Sequence, residues 1–168
     1  RIELQAVVWG DKVFVSQAVD ADHWRGVLCF DRKDGSLLWK EGVNYDTPER
    51  SHRDNPYCSA SPAVNGEVVV VSYGSAGVAA YDLEGERLWF RDLGPIDHVW
   101  GNSTSPVIVD DLVIHYHGPG EGAFLSALRL EDGETVWTWE EPRWDVEGRT
   151  DGFRGREGPG VVGSFSTP

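Results

Sequence analysis

The sequence contains no methionine, only two cysteines, and too few basic residues to balance its acids: 15 Lys and Arg stand against 28 Asp and Glu. Each shortage excludes something. A formal charge of −13 leaves no basic surface to neutralise phosphates, so neither a nucleic acid nor an anionic lipid surface is an expected partner. No apolar run approaches the roughly 20 residues of a membrane-spanning helix. No charged-then-apolar leader opens the chain, but the missing methionine leads us to expect a start downstream of the true one, so this excludes no compartment. Cys29 and Cys58 sit in apolar strand contexts rather than in a CxxC or Cys/His cluster, and are read as buried free thiols. A disulfide between them would need Cα atoms within about 7 Å.

Helix-forming runs of Ala, Leu, Glu and Lys are scarce as well. What the 168 residues do hold is 20 Gly, 9 Pro, 8 Trp and many Val, the mixture of short strands separated by turns. One pattern is written three times: "CFDRKDGSLLWK", "AYDLEGERLWF" and "ALRLEDGETVWTW". Aligned on Gly35, Gly85 and Gly133, each copy places a Trp four residues later, at Trp39, Trp89 and Trp137. Asp31 and Asp82 precede the glycine in the first two copies, and Arg129 takes that place in the third. Asp bonds its own backbone in a turn and Gly accepts positive φ, so each unit reads as a hairpin. The three indoles are read as packing between units, and each indole N–H then needs an acceptor.

A second hairpin precedes each of these, in "AVVWGDKVFV", "SPAVNGEVVVV" and "SPVIVDDLVIH". Two hairpins make a four-stranded antiparallel meander, repeated about every 45 to 55 residues, which is one propeller blade per repeat. The middle copy is expected to have strands at Ser59 to Val64, Val68 to Tyr73, Val78 to Asp82 and Arg87 to Phe90. Its unbroken "VVVV" fits a strand covered on both faces.

The serine-proline strand starts, followed by A-[YL]-[DR] and G-E-x-[VL]-W, resemble the PQQ-like repeat, the blade unit of quinoprotein-type propellers. The outer-membrane assembly lipoprotein and the alcohol-dehydrogenase propellers share that unit. The stretches "NPYCSASP", "YGSAGVAAYD", "RDLGPIDHVWGNSTSPV" and "GPGEGAFLSAL" look closest to the PQQ-binding-like propeller proteins of planctomycete-type bacteria. The resemblance implies an all-β fold: a β-propeller of four-stranded antiparallel blades, with about three blades of a partial ring present. Blade 1 is expected at about 4–41, blade 2 at about 57–91 and blade 3 at about 102–140, with a further blade starting at 163–168, all in one domain over 1–168. A fragment of a longer secreted or periplasmic protein is the expectation; self-association of open blade edges into a ring is the alternative.

Loops that join an outer strand to the next inner strand gather on one face of a propeller, the default place for binding. Here they are 42–56, 93–102 and 140–163. They nominate Tyr57, His98, Trp100, Asn102 and Trp144 as channel or loop-face binding residues, or as filling of the funnel. Arg143, Arg149, Arg154 and Arg156 would meet an anionic ligand, or simply solvate a Gly-rich loop. His115 and His117, two apart on one strand face, are either hydrogen-bonded histidines or a pair of metal ligands lacking a third.

No catalytic residue is assigned. The resemblance makes PQQ and calcium conceivable cofactors, but in quinoprotein dehydrogenases the quinone lies under adjacent cysteines, and this chain has no such pair. The expected role is a non-catalytic binding or scaffold module for a protein or polysaccharide partner. A PQQ- and calcium-dependent dehydrogenase is one alternative, and polysaccharide or peptide recognition on the loop-bearing face is another.

Overall fold

The computed structural model describes residues 6–52, 54–120, 122–140, 164 and 166–168. Among the described residues, twelve strands fall, in chain order, into three four-stranded antiparallel meanders. The first sheet holds β1 (Ala6–Trp9), β2 (Lys12–Val19), β3 (Trp24–Asp31) and β4 (Leu37–Asn44). The second holds β5 (Ala63–Val64), β6 (Val68–Ser72), β7 (Val78–Asp82) and β8 (Arg87–Arg91). The third holds β9 (Val107–Val109), β10 (Leu112–His117), β11 (Phe124–Arg129) and β12 (Thr135–Glu140). Among the described residues there is no α-helix, only single 3-10 turns at Asp20–Asp22 and Gly74–Ala76. This is the all-β, partial-propeller architecture expected from the repeat.

One strand is shorter than its sequence pattern. The run from Ser59 to Val64 contracts to the two residues of β5 because its backbone spends its hydrogen bonds elsewhere. The Ser59 amide donates to Pro56 O at 3.1 Å, Pro62 has no N–H, and the Ser61 amide donates to Ser105 Oγ of the next sheet at 2.9 Å.

The repeated turns close in one way. In each sheet the register shifts one step before the turn, between Cys29 and Phe30, between Ala80 and Tyr81, and between Ala127 and Leu128. The residue ahead of each shift pairs with the repeat tryptophan: Cys29 with Trp39, Ala80 with Trp89, Ala127 with Trp137. Asp82 Oδ1 accepts from the amides of Glu84 and Glu86 at 2.9 and 2.8 Å, and Asp31 Oδ1 accepts from Lys33 at 2.7 Å. Arg129 stands in that place in the third copy, where Asp132 Oδ1 accepts from the Glu134 amide at 2.9 Å, the same bond that Asp34 makes to the Ser36 amide in the first.

The core lies between sheets. Phe14, Val27 and Cys29 of the first sheet meet Val69, Val71, Ala79 and Tyr81 of the second. The alternate residues of the same two strands, Val70, Val78 and Ala80, turn to the third sheet and meet Val113 and Leu128. Period-two alternation therefore sends successive valines of β6 into two different interfaces, which is why no polar residue interrupts them.

The indoles fasten these interfaces. Trp39 Nε1 donates to Leu83 O at 3.0 Å, and Trp89 Nε1 donates to Leu130 O at 2.7 Å, each reaching the turn of the following sheet. Each ring lies on the glycine of that turn. A Cβ at Gly85 would stand 2.8 Å from Trp39 Cδ2, and one at Gly133 would stand 2.6 Å from Trp89 Cε3. These glycines also hold φ of +93° and +71°, so both the backbone and the neighbour require the missing side chain. Trp137 occupies the equivalent register on β12 and is 41% exposed.

Truncation of Trp89, only 7% exposed, removes both ring and donor. Trp89→Ala is expected to cost about 3–5 kcal/mol of unfolding free energy, and Trp89→Phe, which keeps an aromatic ring but orphans Leu130 O, about 1–3 kcal/mol. Denaturant midpoints check both; an alanine cost below that of phenylalanine would refute the packing role.

Candidate functional site

The meander order separates two kinds of connection. The β1–β2, β3–β4 and equivalent hairpin turns meet one another at one end of the sheets. There Lys12 Nζ reaches Leu83 O and Glu84 Oε1, Arg32 N donates to Asp11 O, and Leu130 N donates to Asp111 O. The β2–β3, β6–β7 and β10–β11 turns share the other end with the links between sheets. Arg25 Nη1 donates to Tyr73 O at 2.9 Å, Ile96 N donates to Ser75 Oγ at 2.8 Å, and His117 Nε2 lies 2.9 Å from Gly94 O. Irregular chain is concentrated at that end, so a site built from loops stands there.

Two links run against each other. Arg50 grips Asp97 with two hydrogen bonds, Nε to Oδ1 at 2.7 Å and Nη2 to Oδ2 at 2.9 Å. That bond holds the Asp97 carboxyl below its ordinary range. The His52 ring packs on Trp100 with centroids 4.5 Å apart, and Asn55 Nδ2 donates to Trp100 O. His98 Nδ1 accepts from the Trp100 amide at 3.2 Å. Burial and then the Arg50 charge lower the His98 pKa, against a raising influence from Asp97. Asn102 Nδ2 donates to Thr104 Oγ1 at 3.2 Å and to Gly118 O. The structure thus gathers His98, Trp100 and Asn102 into one bonded stretch of the second link, where their polar atoms are engaged in fixing loops.

Tyr57 stands elsewhere, against Arg25. The guanidinium carbon lies 4.1 Å from the Tyr57 ring centroid and 4.8 Å from that of Tyr45. Its Nη2 pairs with Glu49 Oε1 at 2.8 Å, with the two side chains only 6% and 12% exposed. A cation so nearly removed from water persists because it is bonded at both terminal nitrogens and flanked by two π faces. The Tyr57 hydroxyl donates to Glu49 O at 3.0 Å. Burial raises the phenol pKa, and the charge of Glu49 adds to this. Beside these groups opens a cleft of about 300 Å³. Trp24, Tyr45 and Tyr57 give it aromatic walls, and Asp20, Asp46 and Glu49 bring carboxylates.

The residues nominated from sequence therefore divide between a loop seam and this cleft. Trp144 and the arginines at 143, 149, 154 and 156 lie outside the described residues. Arg25, Tyr45, Glu49, Asp20 and Asp46 were not nominated, although Arg25 gave a readable signal: a lone cation inside the apolar run "WRGVLCF" must find an acceptor in the fold.

His115 and His117 project from β10 with ring centroids 6.1 Å apart. His115 is fully buried, with Nε2 3.5 Å from Ser72 Oγ, and burial drives its pKa down to about 3. His117 donates from Nε2 to the Gly94 carbonyl, and burial lowers its pKa as well. No group of three or more His, Cys, Asp or Glu that could hold a metal occurs among the described residues. Cys29 and Cys58 are separate, buried free thiols. Among the described residues, then, there is neither an adjacent cysteine pair nor a group of three such ligands to hold a quinone or a calcium ion.

Stacked four-stranded meanders, linked outer strand to inner strand and locked by indoles, define a segment of a PQQ-type β-propeller. The chain belongs to the family described as outer membrane protein assembly factor BamB, whose model matches residues 3–152. Among curated proteins, none matches it. Among solved structures it is similar to BamB from Moraxella catarrhalis, with 20% identity, a TM-score of 0.57, and 80% of this chain against 39% of that one covered. It is also similar to the quinohemoprotein alcohol dehydrogenase from Comamonas testosteroni, with 20% identity, a TM-score of 0.61, and coverage of 86% and 22%. A europium-containing methanol dehydrogenase shows 18% identity, a TM-score of 0.59, and coverage of 80% and 24%. The chain spans between 22% and 39% of the length of these three proteins, and the shared feature is the fold.

The buried histidines set a pH response. An unfolded histidine takes its proton near pH 6.5, whereas folded His115 does so only near 3. Between those values the unfolded state binds the extra proton, so stability is complete above about pH 6.5 and falls as the pH drops, by up to about 1.4 kcal/mol per unit. Denaturant unfolding from pH 7 to 5, above most carboxylate titration, is expected to show a shallower slope for His115→Gln than for the natural protein. Parallel curves would refute it.

Proposed function

We propose that this chain is part of a non-catalytic binding or scaffold module that holds a protein partner on the face carrying the links and the β2–β3 turn. The observation that carries this reading is the Arg25 cleft, concave, aromatic-walled and set on loops that two neighbouring sheets brace. Membership in the family described as an outer membrane protein assembly factor supports a partner that is itself a protein. A periplasmic or extracellular setting is part of the same proposal, as is kinship with the PQQ-binding-like propellers of planctomycete-type bacteria. The latter rests on stretches such as "YGSAGVAAYD" and "GPGEGAFLSAL".

The test separates the two ends of the sheets. Val99, 52% exposed, lies on the second link, and Glu84, with its side chain 75% exposed, lies at the hairpin end. In the full-length protein, Val99→Glu is expected to reduce capture of a cross-linked native partner at least tenfold, a change of about 1.4 kcal/mol, while Glu84→Lys leaves it unaltered. Equal effects at both ends, or a bound-quinone absorbance with dye reduction on adding PQQ and calcium, would replace this reading with another.

A further inference from the structure

We propose that the cleft beside Arg25 receives a Lys or Arg side chain from an extended segment of the partner protein. This rests on the loop-face reading above and goes further by naming the chemistry the cleft selects.

Three observations converge on a cation. The first is charge: three carboxylates, Asp20, Asp46 and Glu49, line the cleft with one guanidinium, Arg25, and one imidazole, His23. The whole chain carries −13, which adds a long-range field drawing cations toward it. The second is hydrogen-bond demand. Arg25 engages Glu49 through Oε1 and the Tyr73 carbonyl through Nη1, whereas Glu49 Oε2 is buried without a partner. A carboxylate oxygen accepts and does not donate, so the group that completes it is an N–H or O–H donor. The third is the wall. Trp24, Tyr45 and Tyr57 present π systems that the protein already uses for its own cations, Arg25 on the two tyrosines and Lys40 on Trp24 at 4.2 Å. Aromatic faces beside carboxylates attract an ammonium or guanidinium group and the methylene stem behind it. A carboxylate or phosphate would instead meet like charge from Asp20 and Asp46, both exposed residues of the lining.

The volume fits this occupant. A cleft of about 300 Å³ lies at the lower end of small-molecule sites, which suits one long side chain rather than a cofactor-sized group.

Isothermal titration of the protein with four capped peptides, Gly-Ser-Gly-X-Gly-Ser-Gly with X as lysine, arginine, norleucine or glutamate, tests the assignment. The Lys and Arg peptides are expected to bind at least tenfold more tightly than the norleucine peptide, about 1.4 kcal/mol, and to weaken as salt rises. Asp20→Asn with Asp46→Asn, both at exposed residues and leaving the Arg25–Glu49 pair intact, should abolish that preference while the circular dichroism and the unfolding midpoint stay unchanged. The assignment falls if all peptides bind alike, if none binds in the millimolar range, if the preference survives the double substitution, or if a neutral oligosaccharide such as cellotetraose binds in their place. Loss of partner capture in Val99→Glu without any peptide preference would overturn the cleft assignment alone, whereas unchanged capture counts against the wider reading.

Discussion

The contact on which the rest depends is an indole lying on a glycine. Trp39 over Gly85 and Trp89 over Gly133 fix how far one sheet stands from the next, and the Nε1 bonds to Leu83 O and Leu130 O fix the slide along the strands. A ring removes a large apolar area from water whatever its orientation, but a ring with a satisfied N–H does so in one pose. The valine and alanine core between the sheets supplies cohesion without direction. Direction comes from the indoles, and the spacing they set brings Arg25 of the first sheet to the Tyr73 carbonyl of the second.

At the end where the links gather, the protein spends many polar groups on itself. Arg50 with Asp97, Asn55 with the Trp100 carbonyl, and Asn102 with Thr104 and Gly118 tie the two links to each other and to the β10–β11 turn. The exposed Arg50–Asp97 pair contributes little to stability, with side chains 62% and 69% exposed, and acts chiefly to hold position. The Arg25–Glu49 pair is a different case. Buried and flanked by two tyrosines, it is a lining pair of the cleft held almost out of water, while Asp20 and Asp46 of the same lining are exposed.

The architecture was legible in the sequence because its determinants are local and repeated. Gly85 and Trp89 sit at a fixed offset, the turn aspartate has a backbone partner within a few residues, and unbroken valine marks a strand covered twice. Ser59 to Val64 was less legible, because the hydrogen bonds that shorten β5 are made partly to Ser105, 44 positions away, and no local pattern records them. The cleft was harder still. Tyr57 could be nominated from its place in a link, but its partners Arg25, Tyr45 and Glu49 come from a strand and a loop that only the folded sheet brings side by side. His98, Trp100 and Asn102 were legible as a group from their place in one link, but the individual bonds were not: Asn55 to the Trp100 carbonyl and Asn102 to the Gly118 carbonyl join segments far apart in the chain.

A joint of the same kind recurs at the inner edge, where Trp9 at the end of β1 covers Gly66 in the β5–β6 turn; a Cβ there would stand 2.5 Å from the ring. The first sheet thus meets the second through two such joints, Trp39 on Gly85 and Trp9 on Gly66, and the second meets the third through Trp89 on Gly133, so the glycine turn of one unit is shaped by the indole of the unit before it. A substitution in either partner is therefore felt across the seam: enlarging the turn displaces a ring on the neighbouring sheet, whereas the connecting segments can change without touching it.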